Sequence, residues 1–397
     1  MKIERIIFTI SISFIFSLSQ LLFHIAAAQE KDSTATGKLK NLLDMELTDL
    51  LDIKVVSGEK GGFGKQLEEL KLKTYLHGYA AGWYRTYDLN RRKRTSTFSL
   101  QYFNPILGVN IQDKVVAEIM MEYEHAGSEL GIRYGIIDYS PFKFLTLRAG
   151  KFLMPMGKFN EYYYPEYINL LNDRPISHWQ ILPSVWSEVG AQLRGKFSLS
   201  KKSSFNYSLF VVNGLEQKNG KYGGDIREMR DNFRDYKNEK KSFGGRIGIL
   251  PVPEIESGVS YYYGPYTTDG KENLSILCID VGYNTKKFNL RGEYVSAIQD
   301  TLSGSINKNG FFVESAYRVN LYLKPVIRYD QAYLPAVAGF DKIINTKTIQ
   351  RVTAGLTIYP EPKLVSRFSI KINYSAVLND GNGSLTNEFI LQTAIGF

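Results

Sequence analysis

The sequence predicts an all-β fold: a closed, transmembrane antiparallel barrel of about sixteen strands, with a short helical segment ahead of it. Three observations predict it. After Lys71, apolar and polar residues alternate with a period of two in one stretch after another, so each stretch offers one face to an apolar medium and one to water. The connections between stretches alternate in length, short on one rim and generally long on the other. The last stretch, SLTNEFILQTAIGF, keeps the alternation up to a terminal aromatic, with Phe389, Leu391, Thr393, Ile395 and Phe397 on one face. In a soluble sandwich such an end would fray into water. In a closed barrel it pairs on both edges and meets lipid.

Lys2 and Arg5 open the chain, an apolar run follows from Ile6 to about Ile25, and Ala26-Ala27-Ala28 precede Gln29. A positive start, an apolar middle and a small-residue end make residues 1–28 a cleavable secretory signal peptide. Residues 29–71 form a helical and linker segment: Leu39, Leu42, Leu43, Leu47, Leu50 and Leu51 recur at helical spacing between acidic residues. The phrase MELTDLLDIKVVSGEK resembles the segment before the plug of some TonB-dependent receptors, but strands begin almost at once and no plug follows. Gly58 to Lys65 fails as a phosphate loop, because Gln66 stands where Ser or Thr is needed and no strand-loop-helix unit surrounds it.

The barrel spans 72–397, with expected strands at 73–87, 96–111, 114–125, 129–139, 143–153, 185–198, 204–213, 242–250, 255–264, 273–284, 287–298, 310–319, 321–332, 347–359, 363–375 and 385–397. Expected long loops include Leu89 to Thr95, Met154 to Ser184, Gly214 to Lys241 and Gln299 to Asn309. Tyr84, Tyr87, Tyr102, Tyr123, Tyr139, Tyr359 and Tyr374 near strand ends are candidate girdle residues. A soluble propeller is the competing all-β reading, and no repeat of blade length supports it. The abundance of Tyr (27) and Phe (23) with a slightly polar mean hydropathy suits a barrel whose strands are half in water.

The third long loop, Met154 to Ser184, is too long and too apolar to stand out in water. It carries Tyr162, Tyr163, Tyr164, Tyr167, Leu170, Leu171 and Trp179 together with Lys158, Glu161, Glu166, Asp173 and Arg174. The preferred reading folds it into the barrel, where it narrows the pore and places Lys158, Glu161 and Arg174 at the constriction. Capping the barrel outside, or meeting a neighbouring subunit, are the alternatives. Lumen positions on the early strands read as acidic (Glu118, Glu122, Glu124), and those on later strands as largely basic (Arg291, Arg318, Lys324, Arg328, Arg351, Arg367, Lys371), interrupted by Glu293, Glu314 and Asp330. Opposed walls of unlike sign would set up a transverse field. Paired bridges along the wall are the blander reading of the same residues. Arg328→Glu with Lys324→Glu is then expected to move selectivity towards cations.

The run AGKFLMPMGKFNEYYYPEYINLLNDRP, followed by FVVNGLEQ, resembles the phosphate-selective porin O and P family in its broad, Bacteroidetes-type sense, over about Tyr75 to Phe397. That resemblance implies a sixteen-strand porin of the outer membrane, usually trimeric, passing small hydrophilic solutes. The arginine ladder and lysine cluster of the phosphate-carrying members do not map onto consecutive positions here. The formal charge of +9, or +8 without Lys2, Glu4 and Arg5, leans the channel weakly towards anions. Expected partners are small hydrophilic solutes, outer-membrane lipid and two further copies of the chain, with no nucleic acid.

Two rival functions remain. A gated channel for hydrophobic substrates could use the N-terminal helix as a hatch and the aromatic loop as a lining. An outer-membrane enzyme would need a base or nucleophile at the rim, and outside the signal peptide only His77, His125 and His178 are available, with no G-x-S-x-G elbow. No catalytic residue, cofactor site or metal site is read from the sequence. Cys278 has no partner for an internal disulfide and reads as a strand residue.

Overall fold

The computed structural model of the chain describes residues 72–89, 93–217, 225–230, 240–302, 304–335, 337–338, 343–344, 346–361, 368–379 and 387–397. The expected signal peptide, the expected helical segment of 29–71 and Arg367 lie outside them. Strands run β1 Leu72–Leu89, β2 Lys93–Ile111, β3 Val115–Glu124, β4 Glu129–Phe142, β5 Leu145–Leu153, β6 Ser187–Ser198, β7 Ser204–Val212, β8 Ser242–Val252 and β9 Ile255–Pro265. They continue with β10 Asn273–Asn284, β11 Phe288–Thr301, β12 Gly304–Tyr317, β13 Leu323–Leu334, the short pair β14 Val337–Ala338 and β15 Ile343–Ile344, then β16 Lys347–Ile358, β17 Phe368–Asn379 and β18 Glu388–Gly396.

All strands except β14 and β15 join into one closed antiparallel barrel of sixteen, each pairing with its chain neighbour and β18 returning to β1. Closure is the physical requirement: an open edge in lipid would leave a row of backbone donors and acceptors without partners. At the seam Gly78 and Phe397 exchange both backbone hydrogen bonds, at 2.8 and 2.9 Å. The outer face is apolar along its strands, with Leu130, Ile137, Leu209, Ile247 and Ile327 exposed. Near the short-turn rim, Phe142, Phe144, Phe197 and Tyr207 stack in a row on that face, where an interfacial girdle belongs.

Four departures from the sequence reading have physical causes. The expected loop at Gln299 to Asn309 is strand: β11 and β12 stay paired up to Thr301 and Gly304, because nothing prevents a polar hairpin from extending past the membrane into water. The expected loop at Leu89 to Thr95 shrinks in the same way, with Leu89 opposite Lys93. Val185 lies buried ahead of β6, which begins at Ser187. Finally, a bulge sets Ala81 opposite Tyr102 but Gly82 opposite Leu100, so Gln101 is the extra residue. One inserted residue reverses the parity of the strand, which turns Tyr102 into the lumen instead of the girdle. Tyr359 is likewise buried, with Arg318 over its ring, whereas Tyr84, Tyr139 and Tyr374 face outwards.

Candidate pore and its inward loop

Residues 154–186 fold into the barrel. Met154, Met156, Phe159, Leu171, Ile181, Leu182 and Trp186 are fully buried, so the apolar content that made an exposed loop untenable has become an interior core. Asn160 ties the two limbs of the loop together. Its amide nitrogen donates to the carbonyls of Met154 and Trp186, at 2.8 and 3.0 Å, and its oxygen accepts from Ser184 Oγ and Trp186 N. Between the limbs sit a single wide turn over Phe159–Tyr163 and a short helix, Ile176–Gln180.

The wall from β9 to β18 holds the loop along its length. Gly157 N donates to Ser260 Oγ at 3.2 Å and Phe159 N to Glu293 Oε1 at 2.6 Å. Ile176 N donates to Asp330 Oδ1 at 3.0 Å, and Thr357 Oγ1 donates to the Leu170 carbonyl at 3.0 Å. Arg291 donates to Asn169 Oδ1, Arg328 to the Asp173 carbonyl, and Arg351 to the Asp173 carboxylate and the Arg174 carbonyl. Glu166 is held by Gln392 through its side chain and by Lys371 through its carbonyl. On the opposite side the loop reaches β1 to β4: Tyr167 lies 5.6 Å from Tyr79, Arg174 donates to Tyr102 OH, and Arg133 donates to the Val185 carbonyl. The loop therefore crosses the lumen from wall to wall.

The structure sorts the expected pore residues into two groups. Arg328, Arg351 and Lys324 lie on the loop-covered wall and are buried. Arg328 lies against Glu314 and Asp330, and Arg351 against Asp330 and Asp173, in one continuous network. Glu118 is also buried, accepting from Tyr75 OH at 2.7 Å and Tyr134 OH at 2.6 Å. The second group stays partly open to the lumen. Lys158 pairs with Glu256 and lies 4.1 Å above the Tyr162 ring; Glu161 pairs with Arg194; Glu122 pairs with Arg133. Among the described residues, the split of sign between walls is blurred by ion pairs on both sides. Arg133, Arg148, Arg194 and Arg246 interleave with the early acids, and of the late bases Arg291, Arg328 and Arg351 are paired in place with Glu314, Asp330 and Asp173.

Sequence reasoning missed one constellation. Four guanidiniums converge on the three consecutive carbonyls of Pro183, Ser184 and Val185. Arg133 reaches Val185, Arg174 and Arg227 reach Ser184, and Arg230 reaches both Pro183 and Val185. Arg174 and Arg227 also flank the Trp179 ring, at 5.6 and 3.8 Å. Burial, with Arg230 and Arg174 close by, pulls the Arg227 guanidinium down to about 9. Residues 225–230 lie some forty positions beyond that turn, so no local motif announces the cluster. Of the histidines, His125 sits at the β3–β4 turn beside Glu129, and His178 is buried against Glu293.

A closed sixteen-strand barrel with an apolar outer wall, a polar lumen and an inward loop defines an integral barrel of the bacterial outer membrane. Among solved structures, the chain is similar to an anion-selective porin from Comamonas acidovorans, with a TM-score of 0.59 and 10% identity over 82% of this chain and 100% of that one. It is similar to a loop L8 deletion mutant of OmpT, an outer membrane protein of Vibrio cholerae, with a TM-score of 0.58 and 12% identity over 82% and 99%. The outer membrane channel DcaP of Acinetobacter baumannii gives a TM-score of 0.53 and 10% identity over 86% and 100%. At these identities the likeness is one of fold. An uncharacterized protein of Aquifex aeolicus (strain VF5) is 24% identical over 280 residues, 61% of this chain and 63% of that protein, so the chain spans less than two thirds of its length. No protein-family model matches the chain.

Proposed function

We propose that the chain is an outer-membrane porin, a passive channel for small hydrophilic solutes with a preference for anions, phosphate among them, and that it works as a homotrimer. The observation that carries the reading is the loop of residues 154–186, docked across the lumen by polar contacts. It narrows the barrel while leaving a charged, partly open strip along β3 to β6. The convergence of Arg174 and Arg227 on the Ser184 carbonyl supports the anion preference, because a backbone carbonyl orients a guanidinium without cancelling its charge. The sequence resemblance to phosphate-selective porins O and P supports the solute class, and a barrel of the same fold in the trimer form, from Vibrio cholerae, supports the assembly. Residues 1–28 serve as the export signal and 29–71 as a linker ahead of the barrel. The constriction is assigned to Lys158, Glu161, Arg174 and Glu122.

The test is the reversal potential of the refolded protein in a planar bilayer under a KCl gradient, repeated with phosphate in place of chloride. Steady ohmic steps with anion selectivity are expected. Cation selectivity would remove the anion preference. Folded protein without conductance would overturn the porin and bring forward the channel for hydrophobic substrates.

A further inference from the structure

One buried cluster of donor groups lies where the inward loop meets the wall of β10 and β11. Cys278 on β10 and Glu293 on β11 face inwards from neighbouring strands, and His178, on the helix of the inward loop, is set down on top of them. None of the three is more than 4% exposed. His178 Nε2 is 2.9 Å from Glu293 Oε2, and Cys278 Sγ is 3.7 Å from the same oxygen. All three donor atoms lie within 4.8 Å of one another.

We propose that His178, Cys278 and Glu293 bind a divalent transition-metal ion of the zinc class, which pins the inward loop to the barrel wall. Tetrahedral zinc holds N, O and S donors at about 2.0–2.3 Å, which spaces the donors roughly 3.3–3.8 Å apart; the cluster needs only small side-chain shifts to meet that. Its orientation is already set. Ser177 Oγ sits 3.2 Å from His178 Nδ1, leaving Nε2 aimed at the other two groups, and Phe159 N–H holds the far carboxylate oxygen. The loop is also shaped around the cluster. Gly157, at φ +71°, passes so close that a Cβ there would lie 2.1 Å from Glu293 Oε2 and 2.8 Å from Cys278 Sγ. Charge favours the ion as well. The thiol gives up its proton to solvent on binding, and one thiolate with one carboxylate balances a divalent cation. The site is then neutral, which a pocket walled by the rings of Phe159 and Phe312 demands. This proposal does not rest on what the channel carries.

The experiment refolds the full chain in detergent with cobalt(II) present, follows thiolate-to-cobalt charge-transfer absorption, and measures bound metal after gel filtration. One ion per chain, the charge-transfer band, its loss when zinc displaces cobalt, and its loss in Cys278→Ser are expected. The cluster of Glu124, His125 and Glu129 at the β3–β4 turn has no sulfur and cannot give that band, so His125→Ala leaves it intact. If Cys278→Ser does not refold, wild-type protein still decides: bound zinc should protect Cys278 from alkylation in partial denaturant. Folded wild-type protein with no charge-transfer band at saturating cobalt, or with alkylation unaffected by zinc, overturns the site.

Discussion

The two sides of the lumen are built from the same alternating strands and the same residue types, yet they differ in kind. On β11 to β16 the inward charges are sealed beneath the loop: side chains of the pairs among Arg291, Glu314, Arg328, Asp330 and Arg351 are at most 10% exposed. On β3 to β6 the pairs Glu122–Arg133, Asp138–Arg148 and Glu161–Arg194 keep between 12 and 25% of their side-chain surface. Burial decides what a charge can do. A sealed pair is part of a protein core, where losing one partner strands the other. A wetted pair is worth little to stability and is free to act on passing ions.

The strongest way to break this comparison is at the sealed wall. Arg328→Ala removes one of the two arginines held by each of the buried Glu314 and Asp330 and releases the Asp173 carbonyl, and should cost roughly 3–5 kcal/mol. The denaturation midpoint should fall and single-channel conductance should rise as the loop loosens. If neither moves, that wall does not hold the loop. By the same logic, Arg328→Glu with Lys324→Glu is expected to impair folding before it alters selectivity.

A smaller effect concerns Glu166 in the loop. Burial pushes its carboxyl up to about 7 from 4.5, against the opposing pull of Lys371 and the hydrogen bond from Gln392. The folded chain thus holds this proton more tightly than the unfolded one. The stabilisation is complete below pH 4.5 and is lost as pH rises through about 7, up to about 3 kcal/mol across the window. Glu166→Gln should flatten that part of the stability profile; an unchanged slope would assign it elsewhere. The smallest change in stability belongs to the wetted side. Arg194→Glu should move the reversal potential towards cations while shifting stability by no more than about 1 kcal/mol. A stability loss comparable with that of Arg328→Ala would erase the distinction between the two sides.

The strands were legible because lipid and water impose a period of two that each stretch carries by itself. What escaped detection was whatever depends on a single extra residue or on distant partners. The bulge at Gln101 reverses a face with no composition signal. The hairpin around Thr301 and Gly304 is rich in Gly, Ser and Asn, so it reads as loop although it is paired. The inward loop could be inferred from its apolar content, but not its supports: Asp173 meets Arg351 across 178 positions and Glu166 meets Gln392 across 226. His178, Cys278 and Glu293 are likewise joined only by folding. Lumen charges could be found by parity, while their sealing could not, since it depends on where the loop comes to rest.

The loop also stands behind the seam. Tyr167 packs near Tyr79 of β1 and lies against the position of Gly396 on β18, and the preceding Glu166 accepts from Lys371 of β17 through its carbonyl. The strands that meet there are drawn from stretches 311 residues apart, and such a closure is slow because a long segment of chain must first be confined. Because the loop touches both β1 and β18, the piece that narrows the barrel also braces the seam where its two ends meet.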